Sequence, residues 1–315
     1  MTQRIRSDAS LKTILITGVT SCSGLHAVRH LESVSDVHVH GTARVAVSMN
    51  GLQRCHVCDF LSPEDIHRVI SDVRPDQILH LAASSDPSDP NKLLQTNISG
   101  VWNLLEACEK LNREVDVLIV GSAASFGEMH QGEVGLGSNR VCEPGSLYGV
   151  SRQTQTEMGR IADGNNGLKV FLCRTFNLIG PGISDRYVPT ALAARIQAAV
   201  EQGASELELR DMDGVRDFID VRDAVAAYFA ILEHGQTGHP YSVGSGEPVT
   251  IGQLADVLAA EQGAAIRFKE PEITPGKSRS GIKRSVADAT DLQKDTGWAP
   301  RFTLCDSVRD MLTTQ

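Results

Sequence analysis

The chain has 315 residues, 41% of them hydrophobic, with 28 Gly and 12 Pro, enough apolar material for one large domain or two lobes of a globular protein. Its formal net charge of −9 argues against general nucleic-acid binding and leaves anionic small molecules as partners that a local basic pocket can hold. No apolar run nears the roughly 18 residues that a membrane span needs, and the polar start "MTQRIRSDAS" lacks a signal-peptide core, so a cytoplasmic protein with a frayed tail over residues 1–10 is expected.

"KTILITG" reads as a buried strand and "SGLHAVRHLE" as the helix after it. "DVHVHGTA" and "RCHVCDF" are a second and a third strand, and "SPEDIHRVISDV" opens an amphipathic helix with a Ser-x-x-Asp cap signal. Two further strands, "DQILHLAA" and "DVLIVGSA", flank the long helical stretch "NKLLQTNISGVWNLLEACEKLN"; another helix follows Tyr148, then the apolar strand "KVFLCRTFN". Such alternation predicts an α/β fold with a Rossmann-type, doubly wound parallel sheet. Beyond about residue 178 the rhythm changes, through the loop "GPGISDRYVP", a helix at 189–202, the strand-like "ELELR" and the charged "DGVRDFIDVRDAVAAYFAILE". A helix near 251–263, the strand "AIRFK", the loop "PEITPGKSRSG" and two short terminal helices complete the chain. The expected division is an NAD(P)-binding domain over 11–178 with a return segment at about 217–245, and a smaller α/β substrate-binding lobe from 179–216 and 246–315.

Seven cysteines, an odd number scattered along the chain, do not suggest a disulfide framework. The C-x-x-C of Cys55 and Cys58 has no second pair to complete a metal site and falls in a short buried strand.

"ITGVTSCSG" joins the first strand to the first helix, where a dinucleotide pyrophosphate meets backbone N–H groups. Gly18 makes the tight turn and Gly24 allows close helix–strand packing, while Ser21 stands where the T-G-x-x-G-x-x-G pattern has its middle glycine. A serine there narrows the approach and is less tolerant of unusual backbone angles. After the second strand the chain offers Arg44 and no acid, which suits the 2′-phosphate of NADP, unless Arg44 is a solvated surface charge. Asp59, after the third strand, is either a partner of the adenine amino group or a loop acid.

In "SLYGVSR", Tyr148 and Arg152 lie four apart and share a helix face. A positive charge beside a phenol favours the phenolate, which suits proton exchange. Taken with "GSAASFG", "HLAASSDPSDP", "TNISGVWNLLEA", "CRTFNLIGPG", "DGVRDFIDVRDAVAAYFAILE" and "YSVGSG", the chain resembles the extended short-chain dehydrogenase/reductases acting on nucleotide sugars. Within them it is most similar to the GDP-6-deoxy-4-keto-mannose reductases, over about residues 12–313.

The resemblance implies that Ser122 holds the sugar carbonyl and Tyr148 exchanges a proton with its oxygen. Arg152, where such enzymes carry Lys, then supplies the cation and binds the nicotinamide ribose. It also places Ala82 against the cofactor, and Asn177, Arg216 and Arg279 at the substrate phosphates, with a solvated basic loop as the alternative for Arg279. Dehydratases of this group carry an acid just after the catalytic Ser or Thr; Ala123 and Ala124 cannot do that proton work. Asp220 and Asp223 are read as helix-capping acids rather than metal ligands, and His80 as a structural histidine near the cofactor. The expected activity is reduction of a nucleotide-linked 4-keto-6-deoxyhexose with NADP as cofactor, NAD being possible. The alternatives are a 4-epimerase with bound cofactor and a noncatalytic nucleotide-binding protein. A homodimer through the long helices at 91–112 and 148–164 is implied as well.

Overall fold

Ile14, Leu15 and Ile16 are all buried, as successive residues are when a strand lies inside a sheet covered on both faces. In the computed structural model, which describes residues 11–271 and 283–314, that strand is β1 (Lys12–Thr17), at the centre of a seven-stranded parallel sheet. It is followed by α1 (Cys22–Leu31), β2 (Val37–Ala43), β3 (Arg54–Val57), α2 (Pro63–Val73) and β4 (Gln77–His80). Then come α3 (Pro90–Leu94), α4 (Gly100–Glu109), β5 (Val115–Ser122), α5 (Leu147–Ala162) and β6 (Leu168–Thr175). The rest runs β7 (Asn177–Ile179), α6 (Val188–Glu201), β8 (Glu206–Glu208), β9 (Val215–Asp220), α7 (Val221–His234) and β10 (Pro240–Val243). Last are β11 (Pro248–Thr250), α8 (Ile251–Glu261), β12 (Arg267–Lys269), β13 (Arg284–Ser285), α9 (Thr290–Thr296) and α10 (Leu304–Thr313).

The main sheet has the order β3-β2-β1-β4-β5-β6-β10. Strand order reverses between β1 and β4, which opens a crevice at their carboxyl ends. Ile14 and Ile16 pack on one face with Val28, Leu31, Val225 and Ile231 of α1 and α7. Leu15 faces the other way, toward Ile66, Val69, Leu104 and Leu105 of α2 and α4. The two-residue alternation along β1 thus feeds two cores.

Two predicted elements differ. The helix expected over 91–112 is broken by a π-helical turn at Gln95–Ser99 between α3 and α4. Asn97, fully buried there, bonds the Ser84 N–H and C=O at 2.8 Å each and the Ser151 hydroxyl at 3.0 Å, so the helix widens to aim this amide inward. The third strand ends at Val57 rather than running on to Phe60, since β3 is an edge strand with one neighbour.

A smaller sheet holds β9 between β11 (antiparallel) and β13 (parallel), with β7 also parallel to β9; β8 and β12 form a separate parallel pair. Leu192 and Ile196 of α6, Leu254 and Leu258 of α8, and Val308 of α10 make its core. The chain re-enters the main layer through α7, and β10 becomes the outer strand beside β6. Asp217 of β9, completely buried, accepts from the Ser245 N–H (2.8 Å) and hydroxyl (2.7 Å) and from the N–H groups of Gly246 (2.8 Å) and Ala287 (3.0 Å). Burial raises its pKa and these four bonds oppose the rise. No described helix is long and apolar enough to cross a membrane.

Candidate active site

Gly18 has φ +67°, and a Cβ there would stand 3.0 Å from the Ala82 backbone, so glycine is needed on both counts. At Gly24 a Cβ would meet the Val19 carbonyl oxygen at 2.6 Å. Ser21 departs from expectation. Its φ of −71° is open to any residue, and its hydroxyl accepts the Gly24 N–H at 3.1 Å as the N-cap of α1. The middle glycine position therefore carries no strain, and its side chain is turned into the helix end rather than across the approach. First-turn N–H groups of α1 beyond that cap have no partner within the helix, as at any helix N-terminus.

Across the crevice, Thr17 Oγ1 accepts the N–H groups of Leu81 and Ala82 at 3.1 Å each, which leaves its proton for His80 Nδ1 at 2.9 Å. Ala82 is thereby fixed against the glycine turn. Burial, then the charge of Arg152, push the His80 pKa down to about 3, so the imidazole is neutral and structural. Arg44 follows β2 directly, exposed and with no side-chain partner among the described residues. Asp59, two residues past β3, is exposed and accepts the Leu61 N–H at 3.0 Å, a turn contact.

Ser122 is the last residue of β5, and its Oγ accepts the Ala124 N–H at 3.2 Å, which leaves the hydroxyl proton free to donate. Ser146 caps α5 by accepting the Gly149 N–H at 3.1 Å. Gly149 lies so close to the Ala124 carbonyl oxygen that any Cβ would collide with it. This contact brings the first turn of α5, with Tyr148, onto the segment after Ser122. One turn later the Arg152 guanidinium carbon lies 5.6 Å from the Tyr148 ring centroid. Its Nη2 donates to the Val120 carbonyl at 2.5 Å, while Nε is buried with no partner. The residue is 6% exposed and no described carboxylate pairs with it.

On the far side, a cavity of about 290 Å³ lies between α6 and the β8–β9 turn. Val188, Leu192 and Leu209 give it apolar walls; Arg195, Arg210 and Arg216 bring three guanidinium groups. The sequence reading found Arg216 but missed Arg195 and Arg210, whose convergence depends on packing and leaves no motif. Tyr187, at the N-cap of α6, is 43% exposed, yet partial desolvation of its phenol raises its pKa, with Tyr148 the next cause. Asn177 Nδ2 donates to the Asp217 carbonyl at 2.9 Å, so half of that amide holds β7 to β9. Arg279 lies outside the described residues. Asp220 caps α7 through the Arg222 N–H (2.8 Å), and Asp223 accepts the Arg301 and Phe302 N–H groups at 2.9 and 3.0 Å. Asp220 caps its helix as expected, whereas Asp223, in the first turn of α7, caps nothing and instead holds the segment that leads into α10.

A parallel sheet opened at its switch point by a glycine turn, with a phenol and a fixed cation at the carboxyl end of the neighbouring strand, defines a dinucleotide-dependent enzyme. The chain belongs to the NAD dependent epimerase/dehydratase family, which its residues 14–244 match. It is 32% identical over 267 residues to the GDP-6-deoxy-D-mannose reductase of Pseudomonas aeruginosa, covering 82% of this chain and 86% of that one. It is 26% identical over 333 residues to a dTDP-glucose 4,6-dehydratase of Neisseria meningitidis, covering 95% and 92%. Among solved structures, RMD from Pseudomonas aeruginosa complexed with NADPH superposes with a TM-score of 0.82 at 27% identity, over 96% of this chain and 98% of that one.

Proposed function

We propose that the protein reduces the C4 carbonyl of a nucleotide-linked 4-keto-6-deoxyhexose with NADPH. What carries the reading is the site after β5, where Ser122 is followed by Ala123 and Ala124 and faced by Tyr148 and Arg152. It offers a hydroxyl to hold a carbonyl, a phenol to give a proton and one cation, and has no acid at those two positions for dehydration. The similarity to a GDP-6-deoxy-D-mannose reductase supports it.

Gly18, Gly24, Ala82 and the first turn of α1 suit the cofactor pyrophosphate, Ser21 caps the helix that binds it, and Arg44 suits a 2′-phosphate. Asp59 has its second carboxylate oxygen for the adenine amino group. When held by these residues, NADPH would supply the hydride that the sugar C4 needs. Ser122 donates a hydrogen bond to the carbonyl oxygen, keeping its own proton, and so polarises it. Tyr148 transfers its phenolic proton to that oxygen as it becomes an alkoxide, and the charge of Arg152 stabilises the phenolate left behind. The unpartnered Nε of Arg152 is a donor for the nicotinamide ribose. Arg216 clamps the substrate diphosphate, with the Asn177 oxygen and Arg279 as further contacts. Trp102 of α4 and Leu147, Val150 and Ile161 of α5 are exposed apolar residues, which fits a homodimer paired through these helices.

Incubation with NADPH and GDP-4-keto-6-deoxymannose, followed by nicotinamide oxidation, tests the reading. Net oxidation is expected, and Tyr148→Phe should lower turnover by about 10²–10⁴-fold while still binding NADPH. Interconversion of C4 epimers without net oxidation would favour the epimerase instead; full activity in Tyr148→Phe would remove the proton-donor role.

A further inference from the structure

The cavity beside Arg216 is lined by a single carboxylate, Asp211. Its Oδ2 lies 3.4 Å from Arg216 Nη2. Asp211 adopts φ +59°, a left-handed backbone that Gly, Asn and Asp tolerate better than other residues. Gly214 closes the same turn, its N–H bonded to the Asp211 carbonyl at 2.9 Å, and has no room for a Cβ against the Asp211 carboxylate. The turn is thus shaped around this acid and presents it to the cavity.

An acid next to a phosphate-binding guanidinium repels the phosphates that the guanidinium attracts, unless it is occupied by donors. An ionised carboxylate only accepts hydrogen bonds, and phosphate oxygens have no protons to give. In a nucleoside diphosphate sugar, the donors one step from the diphosphate on the nucleoside side are the ribose 2′- and 3′-hydroxyls. The base lies farther out, and the hexose extends the other way, to Tyr148. Two adjacent hydroxyls match the two oxygens of one carboxylate.

On the reading of this cavity as the nucleotide site, we infer that Asp211 accepts the ribose diol and selects ribonucleoside over 2′-deoxyribonucleoside diphosphate sugars. This separates GDP- or UDP-linked substrates from dTDP-linked ones, a division that runs through the similar proteins themselves. Asp211 also orients Arg216, but that contact alone would not distinguish the two sugars.

The test is calorimetric titration of the NADPH-loaded full chain with GDP and with 2′-deoxy-GDP, repeated on Asp211→Asn and Asp211→Gly. Both replacements tolerate the left-handed backbone, so folding is preserved. Loss of one charge-assisted bond predicts GDP binding about tenfold to hundredfold tighter than its deoxy analogue in the wild type. In Asp211→Gly that ratio should fall to within about threefold, with Asp211→Asn between, because the lost acceptor is what sets the ratio. Equal binding of the two nucleotides by the wild type, or parallel weakening of both in Asp211→Gly with the ratio intact, would overturn the ribose assignment and leave the nucleotide site standing. If neither nucleotide bound, the reading of the cavity would fall, and this inference with it.

Discussion

Arg152 carries its charge into a site that is 6% exposed, where the Val120 carbonyl and the face of Tyr148 are its described partners. An unpaired buried cation costs several kcal/mol of desolvation, about 3–5 kcal/mol when a partner is removed, so Arg152 is a poor choice for stability alone, which fits the role proposed for it. Unlike an ammonium, a guanidinium stays charged at any working pH, so under the proposed mechanism a phenolate at Tyr148 would face a cation throughout. At the glycine turn, Gly18 and Gly24 are imposed by close contacts, whereas Ser21 is free to serve as a cap. Those two glycines were legible from spacing alone; the harmless Ser21 was not, because its backbone angle depends on how α1 starts. Arg44 bears on cofactor choice at this scale. Arg44→Ala should weaken NADPH binding about tenfold to hundredfold, the loss of one or two charge-assisted bonds, and leave NADH binding nearly unchanged. Measured dissociation constants for both cofactors decide it, and equal effects on the two would show that Arg44 is a surface charge.

The helices around α5 show where element-level reading holds and where it fails. Ser62 capping α2 through the Asp65 N–H at 3.1 Å was visible as Ser-x-x-Asp in the sequence. The π turn before α4 was not, because Asn97 is compatible with an ordinary helix and is drawn inward by Ser84 and Ser151, far apart along the chain. The outer surfaces of α4 and α5 are more telling, since Trp102 and Val150 are 44% and 43% exposed and Ile161 is 66% exposed. Pairing of two chains through these helices would cover them. Light scattering of the eluting protein should give a two-chain particle for the wild type and a one-chain particle for Trp102→Glu/Val150→Glu. A monomeric wild type would end the proposal.

Over the whole molecule, four acids join the smaller sheet and the C-terminal helices to the main layer. Asp217 gathers four donors, Asp223 holds Arg301 and Phe302, and Asp220 and Asp310 flank Arg222, which stacks on Phe302 at 3.6 Å. The stability of the whole depends on pH in a direction set by the histidines. Burial, the first cause in each case, lowers the pKa values of His26, His30, His40, His56 and His80 from 6.5, and that of His80 to about 3. Between the folded and unfolded values the unfolded chain binds more protons. The stability these groups contribute is therefore complete above pH 6.5 and is lost as pH falls toward the folded values, toward about 3 for His80. Asp217 and Asp223, with pKa values raised by burial, oppose this at lower pH. Denaturation midpoints should fall from about pH 7 to about pH 5.5, by up to about 1.4 kcal/mol per pH unit per fully titrating histidine, and His80→Asn should flatten the slope. An unchanged slope in that variant would show that His80 is not among the groups responsible.

The sequence by itself determined the parallel sheet, the glycine turn and the Tyr148–Arg152 pair, because each is written within a few residues as a period, a turn or a helical spacing. It also located Ser122 and Arg216 through motifs adjoining strand ends. Only the tertiary structure decided that Gly149 packs on Ala124, that Asn97 turns inward, and that Arg195, Arg210 and Asp211 gather beside Arg216. Those outcomes depend on contacts between segments tens of residues apart, and it is the burial of the apolar cores of the main sheet and of the smaller lobe that brings such segments together.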